Sequence, residues 1–569
     1  MAASPTDEYR IARDQLLALR TDRARATAEF RFPDVGDSWN WAIDWFDAFA
    51  RGNERPGLVI VEADGSEASY SFDTLAVQSD QVAAFLRSHD IGRGDSVLLM
   101  LNNQVELWVA MLAVIKLGAV LMPTATAAGP ADLADRIERG EARAVICNDA
   151  DAGKFDAIAG DYVRISTTAR EGWVSFSDAF AAPAAPAQHP GTAPDDRLLL
   201  YFTSGTTSRP KLVEHTQVSY PVGMMSTMYW LGLEPGDVHL NVSSPGWGKH
   251  AWSSFFAPWI AEATVLVYNY ARFDAAAFLA QLRERHVTTL CAPPTVWRML
   301  IKAELGARPA SLRELVGAGE PLNPEVIAQV KNAWGLEIRD GYGMTETTAQ
   351  LGNPPGTPVR AGSMGMPLPG VPSVLVDPET GLVVDGVGEG EICLDLSQRP
   401  LALMTGYVGD AERTAQAFAD GFFHSGDIAA RDADGYVTYV GRTDDVFKAS
   451  DYKISPFEVE SVLLECPIVA ESAVVPAPDA GRQAVPKAYV TLVAGAAPDA
   501  ATAEQVLRYA REHLAPWTRV RRVEFVDELP KTISGKIRRA ELRARERERA
   551  AAGERGPEFR DADFPGLRQ

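Results

Sequence analysis

Short apolar runs alternate with helix-period stretches through the first part of the chain. Between Val97 and Asp149 the order is VLLML, LWVAMLAVIKLG, AVLMP and ARAVICND, which predicts βαβ units around a largely parallel sheet. Upstream, Tyr9, Ile11, Leu16, Leu17 and Leu19 mark an amphipathic helix over about residues 6–19, and the aromatics of SWNWAIDWFDAF could anchor this extension on the main body. LVIVEA and SYSF flank an Asp64-Gly65 turn and read as a hairpin; a helix near Leu75 to Ser88 precedes SVLLML. The Ala/Pro-rich stretch from Ala181 to Pro194 reads as a surface loop or linker. After Glu214 a helix-like region runs to about Tyr229, and TVLVYNY and TTLCAPP follow as strands separated by a helix containing Phe278, Leu279 and Leu282.

Further on, SVLVD, GEICLDL and FFHSGD with Gly and Pro turns predict a mainly β subdomain, closed by GYVTYVGRTDD. The pattern then changes to small α+β units, VFKASDYKI, VAESAVVPA, KAYVTLVAG and VEFVDELP, with two helices among them. Ser455, Pro456 and Glu458 form a capping box for the first helix, and Thr502 with Gln505 can do the same for the second. The Arg/Glu-rich tail from Lys536 reads as a solvated helix that frays. The expected fold is α/β: a large N-terminal domain of βαβ subdomains plus a β subdomain over residues 1–443, and a small α+β C-terminal domain over 444–569.

The stretch LLLYFTSGTTSRPKLVE carries the first chemistry. A buried strand, Leu198 to Phe202, runs into Thr203, Ser204, Gly205, Thr206, Thr207 and Ser208, then Arg209, Pro210 and Lys211. Hydroxyls, backbone N–H groups and cations together suit phosphate, although an ordinary Ser/Thr turn has the same composition. The GxxxxGK[ST] loop of P-loop NTPases is absent. Gly246 and Gly248 leave Trp247 on a loop, either as a packed aromatic or as a pocket wall. Gly317 to Asn323 is a glycine-rich turn of low specificity. Asp340 to Thr347 reads as a turn in which Glu346, flanked by threonines, could combine a metal ligand with phosphate donors, or as a solvated charged loop.

Composition narrows the setting. The 569 residues are 46% apolar and 23% charged, enough for two or more domains and a large core. A net charge of −21 argues against a nucleic-acid or anionic-membrane partner, so an anionic substrate must meet a local basic site. Cys147, Cys291, Cys393 and Cys466 form no CxxC pair and read as buried apolar residues. The first residues do not resemble a secretory signal, and Asp7, Glu8 and Asp14 disfavour a transit peptide, so a cytoplasmic location is expected. Asn102, Asn103, Gln104, Glu106 and Lys116 interrupt the apolar region from Val97 to Met122, which does not read as a membrane span.

The ordered set YFTSGTTSRPK, GAGEP, YGMTET, FFHSGD, GRTDD, FKASDYKISPFEVE and PKTISGKIRR resembles the motifs of the adenylate-forming superfamily, over nearly the whole chain. YFTSGTTSRPKLVEH is most similar to the medium-chain acyl-CoA synthetase branch. The resemblance implies a ligase that activates a carboxylic acid with MgATP to an acyl-adenylate and then transfers the acyl group to CoA. It implies catalytic roles for Lys536, Glu346 (also the Mg2+ ligand) and Thr345. Nucleotide contacts would come from Thr203, Ser204, Gly205, Thr206, Thr207, Lys211, Gly319, Glu320, Pro321, Asp340, Gly341, Tyr342, Asp427 and Arg442. Asp444 matches a hinge about which a mobile C-terminal domain rotates to present Lys448, Ser450, Asp451, Tyr452 and Lys453 for the CoA step. Trp247, Gly248 and Gly343 fall along the acyl pocket.

The chain departs from the superfamily pattern at Ser208, Leu212 and Asp451, where glycines are usual, and at Lys453, where arginine is usual. Acetate-using relatives place a tryptophan at the position of Gly343, so a deeper pocket and an acid larger than acetate, medium-chain, branched or aromatic, are expected. Gly248 stands near where amino-acid-activating relatives place an Asp, which disfavours an amino acid substrate. Two alternatives stay open: an acyl-AMP ligase that loads a carrier protein, and a non-catalytic nucleotide-binding relative. Expected partners are the small acid, ATP and CoA, and a homo-oligomer is compatible with the sequence.

Overall fold

A computed structural model describes residues 4–181, 184–203, 210–398, 400–449, 452–479, 483–531 and 536–567. The first helix, Pro5–Ala18, starts where Ser4 and Asp7 cap each other's backbone and proline occupies the first turn. Its Tyr9 hydroxyl accepts from Trp41 Nε1 at 3.1 Å, Trp45 donates to Trp259 O and Trp259 to Gly57 O, each at 3.1 Å. Trp39, Trp41 and Trp45 are fully buried, so this aromatic run does anchor the N-terminal extension.

Two large sheets carry the N-terminal domain. In the nine-stranded sheet, Pro56–Val61, Thr264–Tyr268, Val238–Asn241, Thr289–Ala292, Glu314–Gly317 and Ile338–Met344 run parallel, with antiparallel strands at both edges. The eight-stranded sheet holds Ser96–Met100, Val120–Pro123, Ala142–Cys147 and Arg197–Thr203 in parallel. The helix Val105–Lys116 between the first two is buried all round, which its uniform apolarity requires. The β subdomain is a four-stranded antiparallel sheet of Ser373–Val376, Gly388–Asp395, Phe422–Arg431 and Val437–Arg442. All four cysteines are buried and unpaired. Among the described residues no helix is long and apolar enough to cross a membrane.

Four expectations are corrected. The region after Glu214 is not helical at once: Lys211–Thr216 is a strand, held between Arg197–Thr203 and Gly406–Tyr407, and the helix is confined to Met224–Leu231. Asp340 to Met344 belong to the strand Ile338–Met344 rather than to a turn, because Asp340 pairs with Gly317 and Gly341 to Met344 pair with Thr348–Gly352. The second C-terminal helix, Ala500–His513, is capped by Asp499, whose carboxylate accepts from Thr502 N, so Thr502 is inside the helix. The tail does not fray after the helix Arg539–Ala552. Glu558–Arg560 adds an edge strand to the C-terminal sheet, where Glu558, Glu524 and Glu546 converge on the fully buried Lys487 Nζ at 2.7 to 2.8 Å.

Candidate active site

The strands Arg197–Thr203, Val238–Asn241, Glu314–Gly317 and Ile338–Met344 end on the same side of the domain, where open α/β sheets bind ligands. A cavity of about 1640 Å³ lies there, lined by Thr203, Lys211, Gly319, Glu320, Pro321, Asp340, Gly341, Tyr342, Thr345 and Glu346. The β subdomain adds Asp427 and Arg442, and the C-terminal domain adds Lys536. Residues separated by more than three hundred positions thus face one space, as the motif order implied. Gly319 has a φ of +110°, a conformation that a side chain would strain.

Three side chains converge on the Asp427 carboxylate. Tyr342 donates to its Oδ2 at 2.6 Å, Tyr439 to its Oδ1 at 3.3 Å, and Arg442 stands 3.5 Å from Oδ1. Burial pushes this carboxyl up, while Arg442, Tyr342 and Lys536 oppose the shift. Asp340 is fully desolvated; burial raises it to about 7 against the N–H groups of Gly341 and Leu322.

Glu346 and Lys211 meet through a residue that the sequence did not single out. Lys211 Nζ donates to the Tyr407 hydroxyl at 3.1 Å, and that hydroxyl donates to Glu346 Oε1 at 3.0 Å. Burial lowers the Lys211 ammonium, and Glu346 works the other way. A buried carboxylate facing a cavity beside phosphate-facing cations suits Mg2+, which binds through one or two carboxylates and substrate phosphates. Thr345 is fixed from behind: His215 Nε2 lies 2.7 Å from its carbonyl and His215 Nδ1 2.9 Å from Ser219 Oγ. Burial depresses His215 to about 3, so the ring is neutral with the proton on Nε2 and donates to Thr345.

Trp247, Gly248 and Gly343 all line the cavity. A Cβ at Gly248 would lie 3.3 Å from both Thr345 Oγ1 and the Tyr220 hydroxyl, so the backbone there packs directly on the reacting side of the site. Gly343 has an additional reason to be glycine: a Cβ would stand 2.2 Å from Thr348 O across the strand pair.

Lys536 reaches the cavity from the rim, exposed, and its charge acts on Asp427. Asp444, the expected hinge, lies 3.6 Å from Arg442 on one side and 3.8 Å from Arg543 on the other. Asp445 pairs with Arg543 and, at 3.8 Å, with Arg539. Lys448, Tyr452 and Lys453 are exposed and outside the cavity, with Lys453 paired to Glu389. The cavity therefore brings together the described residues expected at the nucleotide and at the first step, and not Lys448, Tyr452 and Lys453. Ser204, Gly205, Thr206 and Thr207 of the first loop, and Ser450 and Asp451 of the second, lie outside the described residues. Leu212, at a usual glycine position, is fully buried in its strand.

Sequence reasoning missed Tyr407 and Tyr439, whose only mark is an aromatic beside a glycine or valine in unremarkable strands, and Lys249 and Asn241, which also line the cavity.

The profile of the AMP-binding enzyme family matches residues 47–408, and that of the AMP-binding enzyme C-terminal domain matches 458–536. The 4-hydroxybutyrate–CoA ligase 1 of Metallosphaera sedula is 42% identical over 526 residues, covering 91% of this chain and 92% of that protein. The mitochondrial acyl-coenzyme A synthetase ACSM3 of Homo sapiens is 37% identical over 534 residues, covering 90% of each. The crystal structure of the anthranilate CoA ligase AuaEII with anthranoyl-AMP superposes with a TM-score of 0.81 at 27% identity, covering 91% of this chain and 99% of that one. Similarity of this length, carried through both domains, places the lineage: the chain belongs to the family of AMP-binding enzymes.

Proposed function

We propose that the protein is an ATP-dependent, AMP-forming acyl-CoA ligase for a carboxylic acid larger than acetate. The observation that carries this reading is the convergence of Asp427, Glu346, Lys211 and Lys536 on one cavity that also has an apolar arm. A carboxylate and a triphosphate repel each other, so the first step needs charge neutralised at the reacting atoms more than it needs a base. Lys536 bridges the attacking carboxylate oxygen and the α-phosphate; the new bond joins that oxygen to phosphorus and pyrophosphate leaves. Asp427 accepts from the two ribose hydroxyls, with Tyr342, Tyr439 and Arg442 holding its oxygens. Glu346 would hold Mg2+, which would supply charge neutralisation at the phosphates. Thr345 and Lys211 orient the phosphate oxygens.

In the second step the CoA thiol attacks the acyl carbon and AMP leaves with the shared oxygen. The C-terminal domain, residues 444–569, rotates about Asp444 between the steps and brings Lys448, Tyr452 and Lys453 to the site in place of Lys536. The separation of those residues from the cavity supports this division of labour. The similar 4-hydroxybutyrate–CoA ligase supports an aliphatic acid, the acyl-coenzyme A synthetase ACSM3 supports CoA as acceptor, and the anthranoyl-AMP held by AuaEII supports the adenylate intermediate. A carboxylic-acid panel scored for pyrophosphate and for CoA thioester tests it: the account expects both products with the same acids, and adenylate without CoA-dependent product would reassign the acceptor.

A further inference from the structure

The cavity receives Asp427 from the strand Phe422–Arg431, which is irregular where the acid emerges. Against Gly388–Asp395 its register runs from His424 opposite Cys393 to Ile428 opposite Glu391, so Ile392 alone faces Ser425, Gly426 and Asp427. The strand carries two extra residues there, a bulge of the kind that re-aims a side chain beside a site. Gly426 takes a φ of +77°, and a Cβ on it would lie 3.1 Å from Arg442 Nη2.

A bulge interrupts the ladder, so its backbone groups need other partners. Thr443 N donates to the Gly426 carbonyl at 2.9 Å, and Asp427 N donates to Ser425 Oγ at 3.1 Å. The Gly426 N–H, one residue before the acid, donates to Glu391 Oε1 at 2.7 Å. Glu391 is 8% exposed and is not part of the cavity lining. Its other oxygen, Oε2, lies 2.9 Å from His424 Nδ1, which carries the proton between them. A charged acceptor holds a backbone N–H more firmly than a neutral one, and both oxygens of this carboxylate are engaged.

Cys393 Sγ lies 3.6 Å from the same ring nitrogen, and burial pushes its thiol up, which keeps it neutral. Glu391, Cys393 and His424 have the residue types of a cation site, with ligand atoms within 4.8 Å of one another. At 2.9 Å, however, the ring nitrogen and the carboxylate oxygen are at hydrogen-bond distance, closer than the roughly 3.3 Å between two such ligands across a tetrahedral zinc. The task within their reach is the backbone of the bulge.

We propose that Glu391, held by His424, is a positioning residue: it fixes the Gly426 N–H and, through the bulge, aims the Asp427 carboxylate at the ribose hydroxyls. This inference rests on the ribose-binding role given to Asp427 above.

The test follows pyrophosphate release with ATP and with 2′-deoxy-ATP for the wild type, Asp427→Ala, Glu391→Ala, Glu391→Gln and the double variant of Glu391→Ala with Asp427→Ala. The wild type should favour ATP in kcat/KM by roughly 10–100-fold, the effect of one hydroxyl donating to a charged acceptor, and Asp427→Ala should abolish that preference. Glu391→Ala should cut the preference roughly tenfold and raise the ATP KM more than it lowers kcat, whereas Glu391→Gln, which keeps an acceptor for Gly426 N, should stay within about threefold of the wild type. In the Asp427→Ala background, Glu391→Ala should change the ATP KM no further. Should Glu391→Ala not fold, His424→Phe, which removes the ring partner of the carboxylate, is read in its place and should shift the preference in the same direction. A preference lost in Asp427→Ala but intact in the Glu391 and His424 variants would overturn this inference alone, as would independent effects of the two alanine substitutions or stoichiometric zinc bound by the wild type and absent from Glu391→Ala. A wild type with no preference for ATP would refute the ribose role of Asp427 and this inference with it.

Discussion

The Tyr407 hydroxyl stands between Lys211 Nζ, 3.1 Å away, and Glu346 Oε1, 3.0 Å away, so the cation and the carboxylate meet at 3.9 Å through a shared neutral group. Without that spacer the two charges would be free to form a direct pair and neutralise each other, and neither would be poised for phosphate or metal. Tyr407→Phe is therefore expected to raise the Mg2+ and ATP concentrations needed for half-maximal pyrophosphate release about tenfold, the loss of one hydrogen bond to a charged group. An unaltered Mg2+ dependence would show that the tyrosine only fills space.

Gly343 fits the expected absence of a pocket-closing side chain, and the strand pairing gives it a second constraint. With a Cβ at 2.2 Å from Thr348 O, even Gly343→Ala must push the strands apart. A destabilisation of about 1–3 kcal/mol in urea unfolding is expected, together with reduced activity on every acid. A fully stable alanine variant would contradict the tight approach.

His215 should make stability depend on acid. Its ring is held near 3, below the ordinary 6.5, by burial. The unfolded chain thus takes up this proton first as pH falls below about 6.5, and the stability that His215 contributes above that pH is lost progressively toward pH 3. His239 and His250, also held at about 3 by burial, add to the same slope. His215→Gln, which keeps a donor for Thr345, should shrink the difference between unfolding midpoints at pH 7 and pH 5; parallel pH profiles for variant and wild type would refute the assignment.

Lys487 holds Glu524, Glu546 and Glu558 with its own side chain fully buried. Lys487→Met leaves three carboxylates facing one another, and a loss of about 3–5 kcal/mol is expected for the C-terminal domain. Hydrogen exchange should then rise first at Glu558–Arg560, the edge strand that the network ties down.

What the chain disclosed before its structure was known follows from range. The βαβ alternation from Val97 to Asp149 became parallel strands because local period and global burial agree there. Asp427, Glu346 and Lys536 could be singled out from short segments, and the fold brings the three to one cavity. The helix read after Glu214 began too early, because the strand Lys211–Thr216 that runs into it depends on Gly406–Tyr407, nearly two hundred positions away. The same distance hid Tyr407. The C-terminal tail read as a solvated helix that frays because its Arg/Glu pattern does not reveal that Glu546 and Glu558 meet a buried lysine.

The central claim is that Lys536, delivered from the C-terminal domain, drives acyl-adenylate formation in this cavity. Its most direct test is pyrophosphate release by wild type and Lys536→Ala with ATP, Mg2+, CoA and an accepted acid, beside ATP binding by calorimetry. Lys536→Ala is expected to lose at least about 10²-fold in pyrophosphate release and to bind ATP as the wild type does. Release at the wild-type rate by Lys536→Ala would contradict it.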